Sequence, residues 1–179
     1  MAVNNSPLTV ITWNCRSINN NKDELEKFLS DSASLPHVIC LQEINLKPSA
    51  SLSLPSYNVV RRDRLGDQGR GGVATLVLSS VPYREMQLNT NLEIIKIIIT
   101  INKHEYAIIN CYNPPGHTIT CQYLTSLATH KNTIICGDFN AHNVPWQSGH
   151  TDREIEQFLD DSNYVLTNDN TPTRYDPRS

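Results

Sequence analysis

Three short apolar runs in this chain each break off into amides and carboxylates, and that repeated pattern constrains the fold more than any other feature. Trp13 is followed by Asn14, Leu41 by Gln42 and Glu43, and Cys136 by Gly137, Asp138, Phe139 and Asn140. Short runs rich in β-branched residues and bounded by polar ones read as buried strands. Polar groups at the ends of such strands point out of a sheet rim, which is where α/β proteins gather their ligand sites. Convergence of the three rims on one pocket is the expectation.

The segments between these runs set an α/β order. Leu8 to Trp13 is the first strand, and a polar turn, Ser17 to Asn21, leads into a helix over Lys22 to Ala33 with Leu25, Phe28 and Leu29 at helical spacing. Pro36 opens the second run, Val38 to Leu41. Tyr57 to Arg62, Gly72 to Ser79, Leu92 to Ile101 and Glu105 to Tyr112 then read as an antiparallel meander. Their turns are marked by Gly66, Gly69, Gly71, Pro82 and the Asn102, Lys103 pair. Thr120 to Thr129 reads as a helix and Thr133 to Cys136 as a strand. Thr151 to Asp161 carries Ile155, Phe158 and Leu159 on one helical face, with Asp152 as N-cap or first-turn acid, and Tyr164 to Thr167 reads as a last short strand. The order suits sheets covered by helices on their outer faces, in one domain over 1–179.

Composition excludes several classes. With 39% hydrophobic and 18% charged residues the chain fits an ordinary globular protein, not a disordered tail. The run Ile94 to Ile101 is interrupted by Lys96 and Thr100, so it cannot span a bilayer, and no membrane partner is expected. Met1 to Thr9 lacks the features of a secretory signal, so a nuclear or cytoplasmic home is expected. Five cysteines, none paired at zinc-knuckle spacing, read as reduced core thiols. A net charge of -3 gives no global pull toward nucleic acid, so any such binding rests on local basic groups.

Glu43 and Asp138 are the residue types a hard cation such as Mg²⁺ requires: one or two carboxylates, with water and substrate phosphate completing the shell. Together with Trp13 and Asn14, with Arg70, Gly71, Gly72, Val73 and Ala74, with Asn110, Cys111, Tyr112, Asn113 and Pro114, and with the Gly137 to Asn140 motif, they stand in a telling order. The chain resembles the endonuclease/exonuclease/phosphatase superfamily in the sequence of these motifs. Cys15, Arg16 and Ser17 after the first Asn, and Ala141, His142 and Asn143 after the last, resemble the endonuclease domain of jockey-type non-LTR retrotransposons.

The resemblance implies a two-sheet α/β sandwich with helices outside, and metal-dependent phosphodiester hydrolysis that nicks DNA to prime reverse transcription. Mg²⁺ would be the cofactor, with Mn²⁺ as a substitute, and a downstream reverse transcriptase domain would be the partner. Glu43 would hold the metal, supported by Asn14, and Asp138 would orient or deprotonate the attacking water and share in metal binding. Asn140 would fix Asp138, and Tyr112 would donate a hydrogen bond to the phosphate. The family completes its site with a C-terminal Ser, Asp, His segment, whereas this chain ends at Arg178 and Ser179, inside a stretch where Thr171 to Arg174 resembles the lead-in to it. A fold incomplete at its C-terminus and impaired activity are therefore expected, the missing His being worth roughly 10²- to 10⁴-fold.

Arg61, Arg62, Arg64 and Arg70 cluster in sequence, and Arg16 lies two residues after Asn14. They read either as solvated loop charges or as phosphate contacts, with Arg16 and Arg70 the preferred nucleic-acid pair. Trp146, after Pro145, reads as a packing aromatic or as a base-stacking one. The rival readings are another phosphoesterase of the same superfamily, acting on lipid, inositol phosphate or RNA, and a non-catalytic nucleic-acid-binding fragment.

Overall fold

A computed structural model describes residues 7–66, 69–141 and 153–167. Strands β1 (Val10–Asn14), β2 (Val38–Gln42), β3 (Tyr57–Arg62) and β4 (Val73–Leu78) form one sheet in the order β1-β2-β4-β3. Strands β5 (Tyr83–Met86), β6 (Glu93–Ile101), β7 (His104–Tyr112) and β8 (Thr133–Asp138) form a second in chain order. Both sheets are mixed. The pairs β1/β2 and β7/β8 are parallel, which requires a crossover, and helices α1 (Ile18–Asp31) and α2 (Cys121–Leu127) supply it. The other neighbours are antiparallel.

Period-two burial explains how the layers stack. Along β2, Ile39 and Leu41 pack with Ile18, Leu25 and Leu29 of α1, while Val38 and Cys40 face the second sheet. Along β6 and β7, Ile95, Ile97, Ile99 and Ile108 face the first sheet, while Ile94, Ile109 and Cys111 pack under α2 and α3 (Arg153–Asp161). The result is helix, sheet, sheet, helix, with an apolar core in each of the three interfaces, as the resemblance implied. Strands covered on both sides must be apolar on both faces, which is why they read as continuous apolar runs. All five cysteines are free.

Several expectations are corrected. The helix expected from Lys22 begins at Ile18, because Ile18 is buried against the first sheet and Asn21 ties back to the Cys15 carbonyl through Nδ2 at 2.7 Å. Phe28 is 50% exposed rather than part of the buried stripe. The middle of the chain is not one meander: β4 turns inward to pair with β2 and β3, and the chain then leaves for the other sheet, where an unexpected strand, β5, starts the run β5-β6-β7. Residues Tyr164 to Thr167 form no strand; Val165 is 82% exposed, and no neighbour among the described residues pairs with them. Asp152 lies outside the described residues. The Asn102, Lys103 turn stands as expected, both residues having positive φ in a tight hairpin that pairs Ile101 with His104.

Candidate active site

The same alternation that builds the core gathers polar side chains at one end of it. Val10, Val38, Ile108 and Ile134 all face the gap between the sheets, so residues of the same parity, Asn14, Gln42, Asn110, Tyr112 and Asp138, face it too. Register then brings them to one level. Asn14 lies beside Gln42 in the first sheet, and Tyr112 lies between Glu93 and Asp138 in the second. Three rims meet, as the strand-end pattern predicts.

Asn14 is the centre of the contact. Its Nδ2 donates to Glu43 Oε1 at 2.8 Å and to Asp138 Oδ2 at 2.6 Å, so one amide spans two carboxylates from different sheets. The two hydrogens of Nδ2 are thereby used, and Oδ1 accepts from the Arg16 backbone N–H at 3.2 Å, which fixes the amide's orientation. Glu43 follows β2 with φ 51, a left-handed conformation that costs a non-glycine residue about 1 kcal/mol. Flanking bonds hold it there. Ser17 N–H donates to Glu43 O at 2.7 Å, Ile44 N–H to Gly72 O at 3.2 Å and Asn45 N–H to Gly71 O at 2.8 Å. A Cβ on Gly72 would stand 3.0 Å from Ile44 Cγ1 in a backbone of φ 81, so the Gly71, Gly72 pair is needed for this close approach.

Tyr112 is 5% exposed, and its hydroxyl faces the Glu43 carboxylate. Burial and the Glu43 charge push the phenol up to about 12, against an opposing pull from Arg64, so it is a proton donor at neutral pH. The Asp138 to Asn140 turn is held from two sides. Asn140 N–H donates to Asp138 Oδ1 at 3.0 Å, and Asn140 Nδ2 to Asn113 O at 2.8 Å. Asn113, 4% exposed, donates its backbone N–H to Asp138 O at 2.8 Å and its Nδ2 to Phe139 O at 3.0 Å. Behind the site, Gln42 Nε2 donates to Asn110 Oδ1 at 2.8 Å, a buried link between the sheets.

The structure thus brings Asn14, Glu43, Tyr112, Asp138 and Asn140 together. Arg16 and Arg70 are exposed; among the described residues, Arg16 meets this set through its backbone N–H on Asn14 Oδ1 and neither guanidinium is hydrogen-bonded to it. No histidine side chain among the described residues joins it; His142 and His150, like Trp146 and the tail from 168, lie outside them. Among the described residues there is no cluster of three or more acidic, His or Cys side chains fit for an all-protein metal cage. Two carboxylates, with water and substrate phosphate to complete the shell, would suit a hard cation of the Mg²⁺ type, and the oxygen-only donor set suits it chemically.

Reasoning from sequence gave Glu93 no role, placed Asn113 only within a motif, and left Arg64 among four clustered arginines without preference. Glu93, an acid heading an isoleucine-rich strand, and Asn110, an amide within one, were the available signals: a polar residue on an otherwise apolar face is either paired or costly.

Comparison with known proteins agrees with this fold. Residues 106–179 match a family described as endonuclease-reverse transcriptase. No curated protein matches the chain. Among solved structures, the chain is similar to the endonuclease domain of TRAS1, a telomere-specific non-LTR retrotransposon. That match has a TM-score of 0.69 at 21% identity and covers 87% of this chain and 70% of that one. AP endonuclease LMAP from Leishmania major follows at 0.59 and 16%, covering 80% and 58%. The Xenopus laevis APE2 catalytic domain matches at 0.58 and 19%, covering 85% and 66%. At these identities the shared property is the fold.

Proposed function

We propose that this chain belongs to the endonuclease/exonuclease/phosphatase superfamily, a reading supported by the family match over residues 106–179 and by the fold, and that the Asn14, Glu43, Tyr112, Asp138, Asn140 set performs metal-dependent hydrolysis of phosphodiester bonds in DNA. In a retrotransposon context the nick would prime a linked reverse transcriptase. The observation that carries the reading is the Asn14 amide bonded to both carboxylates, one from each sheet, at the rim.

Glu43 and Asp138 would hold a divalent cation, Mg²⁺ or Mn²⁺, which when bound neutralises charge on the phosphoryl oxygens. Asn14 keeps the two carboxylates oriented toward one point. Asp138 accepts the proton of the attacking water, its free lone pairs aimed by the Asn140 N–H on Oδ1. The neutral Tyr112 hydroxyl donates to the phosphate as negative charge develops there. Asn113 keeps the Asp138 turn in place.

Supercoiled plasmid, abasic DNA and inositol phosphates, offered with Mg²⁺ or Mn²⁺, test the reading. It expects metal-requiring nicking of plasmid that Asp138→Ala abolishes. Cleavage that survives a chelator or Asp138→Ala, or turnover of inositol phosphates alone, overturns it.

A further inference from the structure

The proposed reaction brings a phosphate to the Glu43 and Asp138 carboxylates, and a positive charge fixed on the protein beside them would add to the attraction that a bound cation supplies. The arginines around β3 differ sharply in whether they are free to supply it. Arg61 is fully engaged: Nε and Nη2 grip Asp63 at 2.6 and 2.8 Å, and its terminal nitrogens also cap the carbonyls of Ala50 at 2.5 Å and Lys47 at 2.7 Å. Arg62 reaches across to the second sheet and donates to the carbonyls of Thr90 and Ile94. Arg70 is exposed, with no contact to the set.

Arg64 is different. Its Nε donates to Glu93 Oε1 at 2.6 Å, and Glu93, 5% exposed, also accepts the Gly72 N–H on Oε2. That grip sets the guanidinium 5.7 Å from the centre of the Tyr112 ring, within cation–π range. The fork lies directly over Gly71, where a Cβ would stand 2.5 Å from Nη2, so the first glycine of the Gly71, Gly72 pair also clears the arginine's seat. The side chain keeps 28% exposure and lines an open groove of about 540 Å³ formed by Pro48 and residues 61–66. Nε is anchored on Glu93, the guanidinium also meets the Tyr112 side chain, and the arginine remains partly open to solvent.

We propose that Arg64 is a phosphate-binding residue, its fork held by Glu93 and Gly71 beside Tyr112 to take a backbone phosphate of the nucleic acid. The inference rests on the nucleic-acid reading above. A planar guanidinium matches phosphate in two-point geometry and stays charged at every working pH. It displaces Arg70 as the preferred contact, because Arg64 touches a residue of the site and Arg70 does not.

The test needs no cleavage. Fluorescence anisotropy of a labelled DNA duplex, titrated with the full chain without metal at several salt concentrations, gives the slope of log K against log salt. Losing one phosphate contact lowers that slope by about 0.9. Arg64→Gln is expected to weaken binding and lower the slope by that amount, while Arg64→Lys, which keeps the charge, retains it. If Arg64→Gln proves unfolded by circular dichroism, Gly71→Ala, which leaves the arginine but displaces its fork, is expected to weaken binding in the same direction. An unchanged slope in a folded Arg64→Gln, or unchanged affinity in Gly71→Ala, overturns the inference and leaves Arg64 a structural partner of Glu93. A wild-type chain without salt-dependent DNA binding instead overturns the nucleic-acid reading itself, and this inference with it.

Discussion

Replacing Asn110 by leucine removes the polar tie between the sheets while keeping a side chain of similar bulk. Asn110 is fully buried; its Oδ1 accepts from Gln42 Nε2 at 2.8 Å, and its Nδ2 points at Ala74 O, Leu41 O and Thr75 Oγ1 at 2.9, 3.2 and 3.3 Å. Two hydrogens serve three acceptors, so the amide makes the equivalent of three full hydrogen bonds, each worth about 1 kcal/mol net. Only one partner of each bond is replaced. Gln42 and the carbonyls stay buried and keep their desolvation cost, so no compensating gain is expected, and Asn110→Leu should destabilise the fold by about 3 kcal/mol. For a chain of this size that lowers the melting temperature by roughly 6–12 °C, read by circular dichroism. Adding Gln42→Leu should recover part of the loss, since both ends of that bond are then apolar. A single-variant loss below about 1 kcal/mol, or strictly additive losses in the pair, would refute the claim that this bond ties the sheets.

Gly137→Ala should be more damaging than its size suggests. The new Cβ would stand 1.8 Å from the Cys111 carbonyl oxygen in a backbone of φ 139, so β7 and β8 must part where Tyr112 lies beside Asp138. A loss of about 3 kcal/mol or more in urea unfolding is expected, and a variant as stable as wild type contradicts the close approach. Alkaline stability follows from buried proton donors. Burial pushes both the Tyr57 phenol and the Cys15 thiol up to about 12. Above about pH 9 the unfolded chain releases protons that the folded chain retains, so the urea midpoint should fall steadily from about pH 9 to 12. A flat or rising midpoint contradicts it.

The strands that carry the site were legible because β2 is buried on both faces and β1 and β8 are largely half-buried, so each apolar run gives way abruptly to polar residues at the rim, as at Asn14, Gln42 and Asp138. Strand β5 was not legible: Tyr83, Arg84 and Glu85 are exposed on an edge, and only pairing with β6 makes them a strand. The switch of sheets after β4 was equally hidden, since antiparallel neighbours and a change of sheet leave the same turn residues behind. Helical spacing placed Leu25 and Leu29 correctly but also placed Phe28, because periodicity does not reveal where a narrow buried stripe ends. At the site, the motif residues stood out by type. Glu93 did not, and the partners of Arg64 and Asn113 were hidden, because they lie about 26 to 48 residues away in sequence and meet them only across the folded rim.

The central claim is that Asn14, by holding Glu43 and Asp138 with one amide, prepares a site for a divalent cation. Mn²⁺ binding to the 179-residue chain, followed by electron paramagnetic resonance with Mg²⁺ as competitor, tests it directly. Wild type should bind Mn²⁺ and release it to Mg²⁺, Glu43→Gln should lose the site, and Asn14→Ala should weaken it roughly tenfold to hundredfold, the usual cost of removing a group that orients a ligand. Equal Mn²⁺ affinity in wild type, Glu43→Gln and Asn14→Ala would contradict the account.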